Sequence, residues 1–250
     1  MGGVMIAAAV CPDCNGTGWK IVEREEVSGA VRCECVAVER AGRVIAESDL
    51  PPLYRNASFD NFLIRGDLQS VYFAVKNYVK EFPNLKQPGL LLMGPPGSGK
   101  THLAVAAFRA ILEKGFEGLF FDYQNLLDRI RSSYDQTSQT TDKEAYRFAM
   151  DKEVLLLDDL GAHRVTDWVD DTVTSIITYR CNHRKPLIAT TNLFDPDARY
   201  VGRTETPGIV TQATTLLERV GPRTRSRLFE MCRVIKMPPV DDFRLPKRGV

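Results

Sequence analysis

The stretch Gly94-Pro95-Pro96-Gly97-Ser98-Gly99-Lys100-Thr101 constrains this chain more than any other. It reads G-x-x-x-x-G-K-[ST], the spacing of a phosphate-binding loop of the Walker A type. Its surroundings fit. The apolar run from Gly89 to Met93 predicts a buried strand before it, and Thr101 to Lys114 predicts a helix after it. Glycines let the backbone turn tightly enough for successive N–H groups to face phosphate oxygens. The helix that follows adds its positive N-terminal end. In such a loop Lys100 reaches the β- and γ-phosphates and the Thr101 hydroxyl holds Mg²⁺. The expected nucleotide-binding set is Gly94, Pro95, Pro96, Gly97, Ser98, Gly99, Lys100, Thr101 and His102.

At 250 residues the chain has room for one main domain and an appendage. A net charge of +1 gives no global argument for nucleic acid, so any such argument must come from local patches. No apolar run approaches the roughly 20 residues that span a bilayer. Met5 to Val10 is too short for a signal-peptide core, and no basic region precedes it. The expectation is a cytoplasmic protein with no membrane partner.

Four of the six cysteines lie in the first 35 residues, as Cys11-Pro12-Asp13-Cys14 and Cys33-Glu34-Cys35. Two close pairs with a loop between them suit a tetrahedral thiolate site, for which Zn²⁺ is the expected metal. The C-x-C half is less typical than a second C-x-x-C, and free or redox-active thiols are the other reading. Trp19 to Glu23 and Val27 to Arg32 are expected to form a hairpin between the ligand pairs. So short a segment has little core, and metal binding would supply its folding energy. A helix from Val36 to Glu47 follows, and Leu50-Pro51-Pro52 then breaks the chain. This places a zinc-binding, partner-docking module at residues 1–48 and the main domain at 49–250. The strip Tyr54, Phe59 and Phe62 suits either stacking on a purine base or packing on the main domain. Leu68, Val71, Tyr72, Val75, Val79 and Phe82 recur at helical spacing, and Pro83 ends that helix.

Beyond the phosphate loop, strand and helix alternate. Strands are expected at Gly118–Asp122, Glu153–Asp158 and Pro186–Thr191, and helices at Tyr123–Ser133, Lys143–Met150 and Thr166–His183, with a polar loop at Asp135–Asp142. The fold class is therefore α/β, a parallel sheet with helices on both faces. Ligands gather at the carboxyl ends of such strands. Val154-Leu155-Leu156-Leu157-Asp158-Asp159 is a Walker B pattern, in which Asp158 holds Mg²⁺ opposite Thr101 and Asp159 orients or deprotonates the attacking water. Ala189-Thr190-Thr191-Asn192 ends the next strand, and Asn192 is placed to bond the γ-phosphate or that water. The C-terminal region is basic, with Arg219, Arg223, Arg225, Arg227, Arg233 and Lys236 close together. The planar guanidinium suits phosphate contacts, but from composition alone a solvated basic face or a nucleic-acid patch is the better reading.

Together these residues resemble the AAA+ ATPases, and more narrowly the DnaC/DnaI-type replicative helicase loaders and the related IstB transposition helpers. The carrying residues are Leu50 to Phe59, Gly94 to Leu103, Leu156-Asp158-Asp159-Leu160-Gly161, Thr190-Thr191-Asn192 and Arg225-Ser226-Arg227-Leu228. The resemblance implies a P-loop domain that binds ATP and Mg²⁺ and hydrolyses ATP. In it Lys100, Asp159 and Asn192 (similar to sensor 1) are catalytic, and Arg227 is an arginine finger that completes a neighbour's site. Arg244 lies where a sensor 2 arginine is expected. The implied partners are the replicative helicase, through the N-terminal module, single-stranded DNA, and further copies of the chain in the ATP-bound state. DNA would meet the segment Tyr123–Met150, which offers Arg129, Arg131, Arg147, Tyr134 and Lys143, with Lys152 just beyond. Asp159 stands where many AAA+ proteins have Glu, and His163 where these loaders often carry another Glu, so turnover is expected to be slow and switch-like. A transposition helper, or an ATP-switched DNA-binding adaptor with negligible turnover, are the other two functions the residues allow.

Overall fold

Apolar runs that do not alternate with polar residues make the centre of the molecule. In a computed structural model describing residues 11–24, 27–132, 140–196, 214–240 and 242–244, these runs become parallel strands buried on both faces. The chain opens with an antiparallel hairpin, β1 (Trp19–Arg24) and β2 (Val27–Arg32), then α1 (Glu34–Ala46) and a 3₁₀ turn at Pro52–Tyr54. The main domain runs α2 (Leu68–Glu81), β3 (Gly89–Met93), α3 (Lys100–Glu113), β4 (Gly118–Asp122), α4 (Tyr123–Ser132), α5 (Thr140–Asp151), β5 (Val154–Asp158), α6 (Asp167–Asn182), β6 (Leu187–Thr191), α7 (Leu216–Met231) and β7 (Cys232–Lys236). Its sheet is parallel throughout, in the order β4-β5-β6-β3-β7.

The pleat sends alternate residues of each strand to opposite faces. Leu90 and Leu92 of β3, with Leu156 and Ile188, join the core under α2 and α3. Leu91 and Met93, with Leu155, Leu157 and Ala189, join the core under α4, α6 and α7. Every residue of β3, β5 and β6 is buried. At about 1.5–3 kcal/mol for each fully buried Leu or Ile, these three strands are a large source of stability.

Expected strand positions match those found within one residue for β3 to β6. Three features differ. Helix α5 starts at Thr140, so the end of the expected polar loop is helical, while residues 135–139 lie outside the described part. The basic C-terminal stretch is a helix followed by an edge strand: Val234 and Ile235 are buried in β7 while Arg233 and Lys236 reach outward. Helix α7 is kinked where Gly221 (φ 72°) precedes Pro222. The N-terminal hairpin is rooted through α1, which packs on α3, and the Phe120 N–H donates to the Ser48 carbonyl at 2.8 Å. Among the described residues no helix is long and apolar enough to cross a membrane.

Candidate nucleotide-binding site

Strand order positions the site. Because β6 lies between β3 and β5, its carboxyl end sits between the phosphate loop and the two acidic residues after β5. The loop itself is made possible by glycine. Gly97 (φ +69°) and Gly99 (φ +90°) adopt left-handed backbone, and a Cβ on Gly97 would fall 1.8 Å from Asp242 Oδ1. Helix α3 begins at Gly99 with no side-chain cap, so its first N–H groups stay available to an anion.

Lys100 and Asn192 meet here. Lys100 Nζ donates to the Pro95 carbonyl at 2.8 Å and to Asn192 Oδ1 at 2.7 Å. Asn192 Nδ2 in turn donates to Asp159 Oδ1 at 3.0 Å. On the metal side, the Thr101 hydroxyl donates to Asp158 Oδ1 at 3.0 Å. The Thr190 hydroxyl donates to the same oxygen at 2.5 Å and accepts the Asp159 N–H at 3.0 Å. Burial pushes the Lys100 ammonium down to about 8, while Asp159 and Asp158 pull it back up and Arg244 adds to the depression. Burial also raises the Asp158 carboxyl above the usual range, opposed by its bond from Thr190 and assisted by the Asp159 charge. An alcohol and a carboxylate 3.0 Å apart form the hard-oxygen donor set that suits Mg²⁺.

Of these residues Lys100, Thr101, Asp159 and Asn192 line a cleft of about 430 Å³, together with Tyr54, Asn61, Phe62, His102 and Arg244. His102 Nε2 lies 3.0 Å from the Ser58 carbonyl, and its ring meets Phe62 edge-on at 5.4 Å. The aromatic strip divides between its two readings. Phe59 packs edge-on against Tyr72 at 5.7 Å, whereas Tyr54 and Phe62 line the cleft as well as packing on the core. Arg244 reaches the cleft because the C-terminal segment crosses the loop: Met237 N–H bonds Met93 O at 2.7 Å and Phe243 N–H bonds Gly97 O at 3.1 Å.

Arg227 is elsewhere. It lines a shallower groove of about 850 Å³ between α6 and α7, with Arg223, Ser226 and Thr174. Its guanidinium is held by Glu230 at 2.7 Å. That groove is roomier but has no phosphate loop and no paired acids at a strand end, so the cleft is the candidate nucleotide site. Two other basic residues of this region are engaged: Arg225 binds Asp195 bidentately at 2.5 and 2.6 Å, and Arg233 binds Glu81 at 2.7 Å.

The four N-terminal cysteine sulfurs lie within 4.8 Å of one another. The Cys11–Cys33 and Cys14–Cys35 separations are 3.8 and 3.4 Å, close to the edge of about 3.8 Å of a tetrahedron with 2.3 Å metal–sulfur bonds. Burial raises the Cys14 thiol, but bonds from Gly18, Cys35 and Gly16 outweigh it and bring it to about 7. Cys35 is pushed well up, first by its bond with Cys14. Sulfurs this close cannot all be thiolates without a cation among them, and the donor set fits Zn²⁺.

The cations expected to face DNA are spread out. Arg129 stacks over Phe121 and lies 3.8 Å from Asp49, and Lys152 binds Glu117 at 3.1 Å. Arg147 sits over Phe148 and 4.0 Å from Glu144, and Arg131 lies over Trp168 at 4.8 Å. Tyr134 and the Lys143 side chain lie outside the described residues. Sequence reasoning missed two participants. Thr190 was visible only as part of a polar strand end, and nothing local marks Asp242 as the neighbour of Gly97.

A parallel sheet carrying a phosphate loop after β3, two acids after β5 and an asparagine after the strand between them defines a P-loop domain of the AAA+ type. The description "IstB-like ATP binding protein" matches residues 73–219, and the chain belongs to that family. The uncharacterized protein YqaM of Bacillus subtilis is 29% identical over 197 residues, covering 74% of this chain and 59% of YqaM. The replicative helicase loader DnaC of Escherichia coli K12 is 24% identical over 183 residues, covering 70% of this chain and 73% of that protein. A crystal structure of the DnaC helicase loader is 30% identical, with a TM-score of 0.61, and is matched over its whole chain and 75% of this one.

Proposed function

We propose that this chain is an ATP-dependent loader of a replicative DNA helicase. The observation that carries the reading is the linked circuit in the cleft: Lys100 to Asn192 to Asp159 on one side, and Thr101 to Asp158 on the other. The groups expected to hold the γ-phosphate and the metal thus lie within hydrogen-bonding reach of one another, as the parts of one ATPase site must. Similarity to the DnaC loader supports the choice of function over other P-loop ATPases.

Lys100 would hold the β- and γ-phosphates, with Arg244 adding positive charge from the C-terminal segment. Thr101 and Asp158 would hold Mg²⁺, whose chemistry is to neutralise charge on the phosphates. Asp159, oriented by Asn192, would aim a water in line with the γ-phosphate. A second copy would contribute Arg227, released from Glu230, to the developing charge. Tyr54 and Phe62 would flank the base. Residues 1–48, with Zn²⁺ on Cys11, Cys14, Cys33 and Cys35, would dock the helicase; residues 49–250 would form the ATPase, assemble in the ATP state and bind single-stranded DNA. Hydrolysis would release the helicase. Such a protein works in the cytoplasm.

The family match favours one other reading, an ATPase helper of transposition. A capture experiment separates them: tagged protein with ATP and Mg²⁺, incubated with the host's replicative helicase or with a transposase. Retention of the helicase, lost with Lys100→Ala, supports the loader. Retention of the transposase alone overturns it. ATP-dependent capture of neither, with no measurable turnover, leaves an adaptor.

A further inference from the structure

We propose that Thr190 is a positioning residue of the nucleotide site. Its hydroxyl clasps the Asp158 carboxylate to the Asp159 backbone, and Mg²⁺ affinity depends on that clasp. The inference rests on the ATPase reading above and assigns a role to a residue that reading does not use.

The regular pairing of β5 with β6 runs only as far as Leu157 opposite Ala189. On its other side β5 stays paired one residue further, Asp158 opposite Asp122 of β4, so it is toward β6 that Asp158 and Asp159 lie past the ladder. Side chains take over at that point. Thr190 is fully buried. Its one proton goes to Asp158 Oδ1 at 2.5 Å, and its oxygen accepts the Asp159 N–H at 3.0 Å. A hydroxyl offers one donor and two acceptor positions, so a single group satisfies both acids' needs. The junction is closed again one residue on: Leu160 N–H donates to Thr190 O at 2.8 Å, and the Thr191 hydroxyl donates to Leu160 O at 2.8 Å.

Asp159 needs this support. Its φ of 54° is left-handed, uncommon for a residue with a side chain. The bond to Thr190 fixes its N–H and so the direction in which the carboxylate leaves the chain toward Asn192. Asp158 needs it for a different reason. Two hydroxyls converge on Oδ1. Thr101's oxygen is also the one expected to meet a cation, through a lone pair that its bond to Asp158 does not use. Thr190's oxygen has no metal to meet, and its bond serves to hold the carboxylate in place. Groups that orient a metal-binding carboxylate in this way typically contribute 10–100-fold to metal affinity, by the order of magnitude seen for outer-shell partners.

The test is Thr190→Val, which keeps the branched shape and strand propensity but removes the hydroxyl, with Thr190→Ser restoring it. Using the full chain, binding of a fluorescent ATP analogue is titrated with MgCl₂ and compared with binding in EDTA. We expect Thr190→Val to need roughly 10–100-fold more Mg²⁺ for half-saturation, binding in EDTA to stay near wild type, and Thr190→Ser to behave as wild type. A ligand-free readout is amide hydrogen exchange at Asp159, protected in wild type and Thr190→Ser and unprotected in Thr190→Val. Wild-type Mg²⁺ dependence in Thr190→Val overturns the clasp. So does equal loss of binding with and without Mg²⁺, which would make Thr190 a folding residue only. A wild-type chain whose nucleotide binding ignores Mg²⁺ overturns the ATPase reading itself, a different result that the Asp159 exchange data do not depend on.

Discussion

Burial brings the Lys100 ammonium down to about 8 from the usual 10.5. Between those values the unfolded chain binds a proton at Lys100 that the folded chain does not, so this residue's contribution to stability rises with pH through the window. Nucleotide binding reverses the bias, because phosphate favours the charged form. Above about pH 8 the free protein must take up a proton to bind. Affinity for ATP should then fall by up to about tenfold per pH unit, and be flat on this account below 8. Calorimetry at pH 7 and pH 9 in two buffers of different ionisation heat measures it; the absence of proton uptake at pH 9 would remove Lys100 from the phosphates. The neighbouring arginines separate in the same way by what holds them. Asp195 is fully buried, and Arg225 is its bidentate partner. Arg225→Ala should cost about 3–5 kcal/mol in denaturant unfolding by removing the bidentate cation from that buried carboxylate. Arg227→Ala removes an exposed i,i+3 pair and should leave the unfolding midpoint in place. The sequence shows both as arginines two positions apart; only the fold shows that one is structural and the other available.

At the scale of elements, what the sequence revealed and what it hid have physical reasons. Strands β3, β5 and β6 were legible because both faces are covered and the apolar run has no interruption. β7 was obscured because it is an edge strand, and Arg233 and Lys236, on either side of the buried Val234 and Ile235, read as charge rather than as strand. α7 was hidden by Gly221-Pro222, a stop signal at which the chain does leave helical geometry, so that two helical segments meet there in a kink. Arg180 is the clearest case of a residue whose role cannot be seen in sequence. In the last turn of α6 it looks like a solvated cation, yet it is fully buried and donates to the carbonyls of Ala149, Met150, Lys152, Glu153 and Pro186. It thereby ties the end of α5 to the entries of β5 and β6, and burial lowers its guanidinium to about 9. Arg180→Leu keeps the bulk and takes the guanidinium from five carbonyls, of which Pro186 O keeps the Leu155 N–H. We expect a loss of at least about 3 kcal/mol in denaturant unfolding, since each buried group left unsatisfied costs on the order of 1–3 kcal/mol. Hydrogen exchange should show α5 loosening first. An unchanged midpoint would mean that water replaces the guanidinium.

At the scale of the whole molecule the question is whether one chain contains a complete site. Lys100, Thr101, Asp158, Asp159, Asn192 and Arg244 converge on one cleft, whereas Arg227 lies on the separate groove between α6 and α7, bound to Glu230. If Arg227 acts on phosphate, it acts on a neighbour's. Lys100→Ala and Arg227→Ala chains should each be inactive alone, the first lacking a working loop and the second a finger. Mixed, they can form an interface in which the intact loop of the Arg227→Ala chain faces the intact Arg227 of the Lys100→Ala chain. ATP hydrolysis should reappear on mixing, rise with the concentration of either chain to a plateau below wild type, and be accompanied by ATP-dependent assembly in sedimentation. Adding Glu230→Gln to the Lys100→Ala chain frees its Arg227 and should lower the concentration at which the mixture becomes active. A mixture that stays inactive while both variants bind one another would mean that the arginine serves its own chain or none. The same outcome would return the α6–α7 groove to a solvated face.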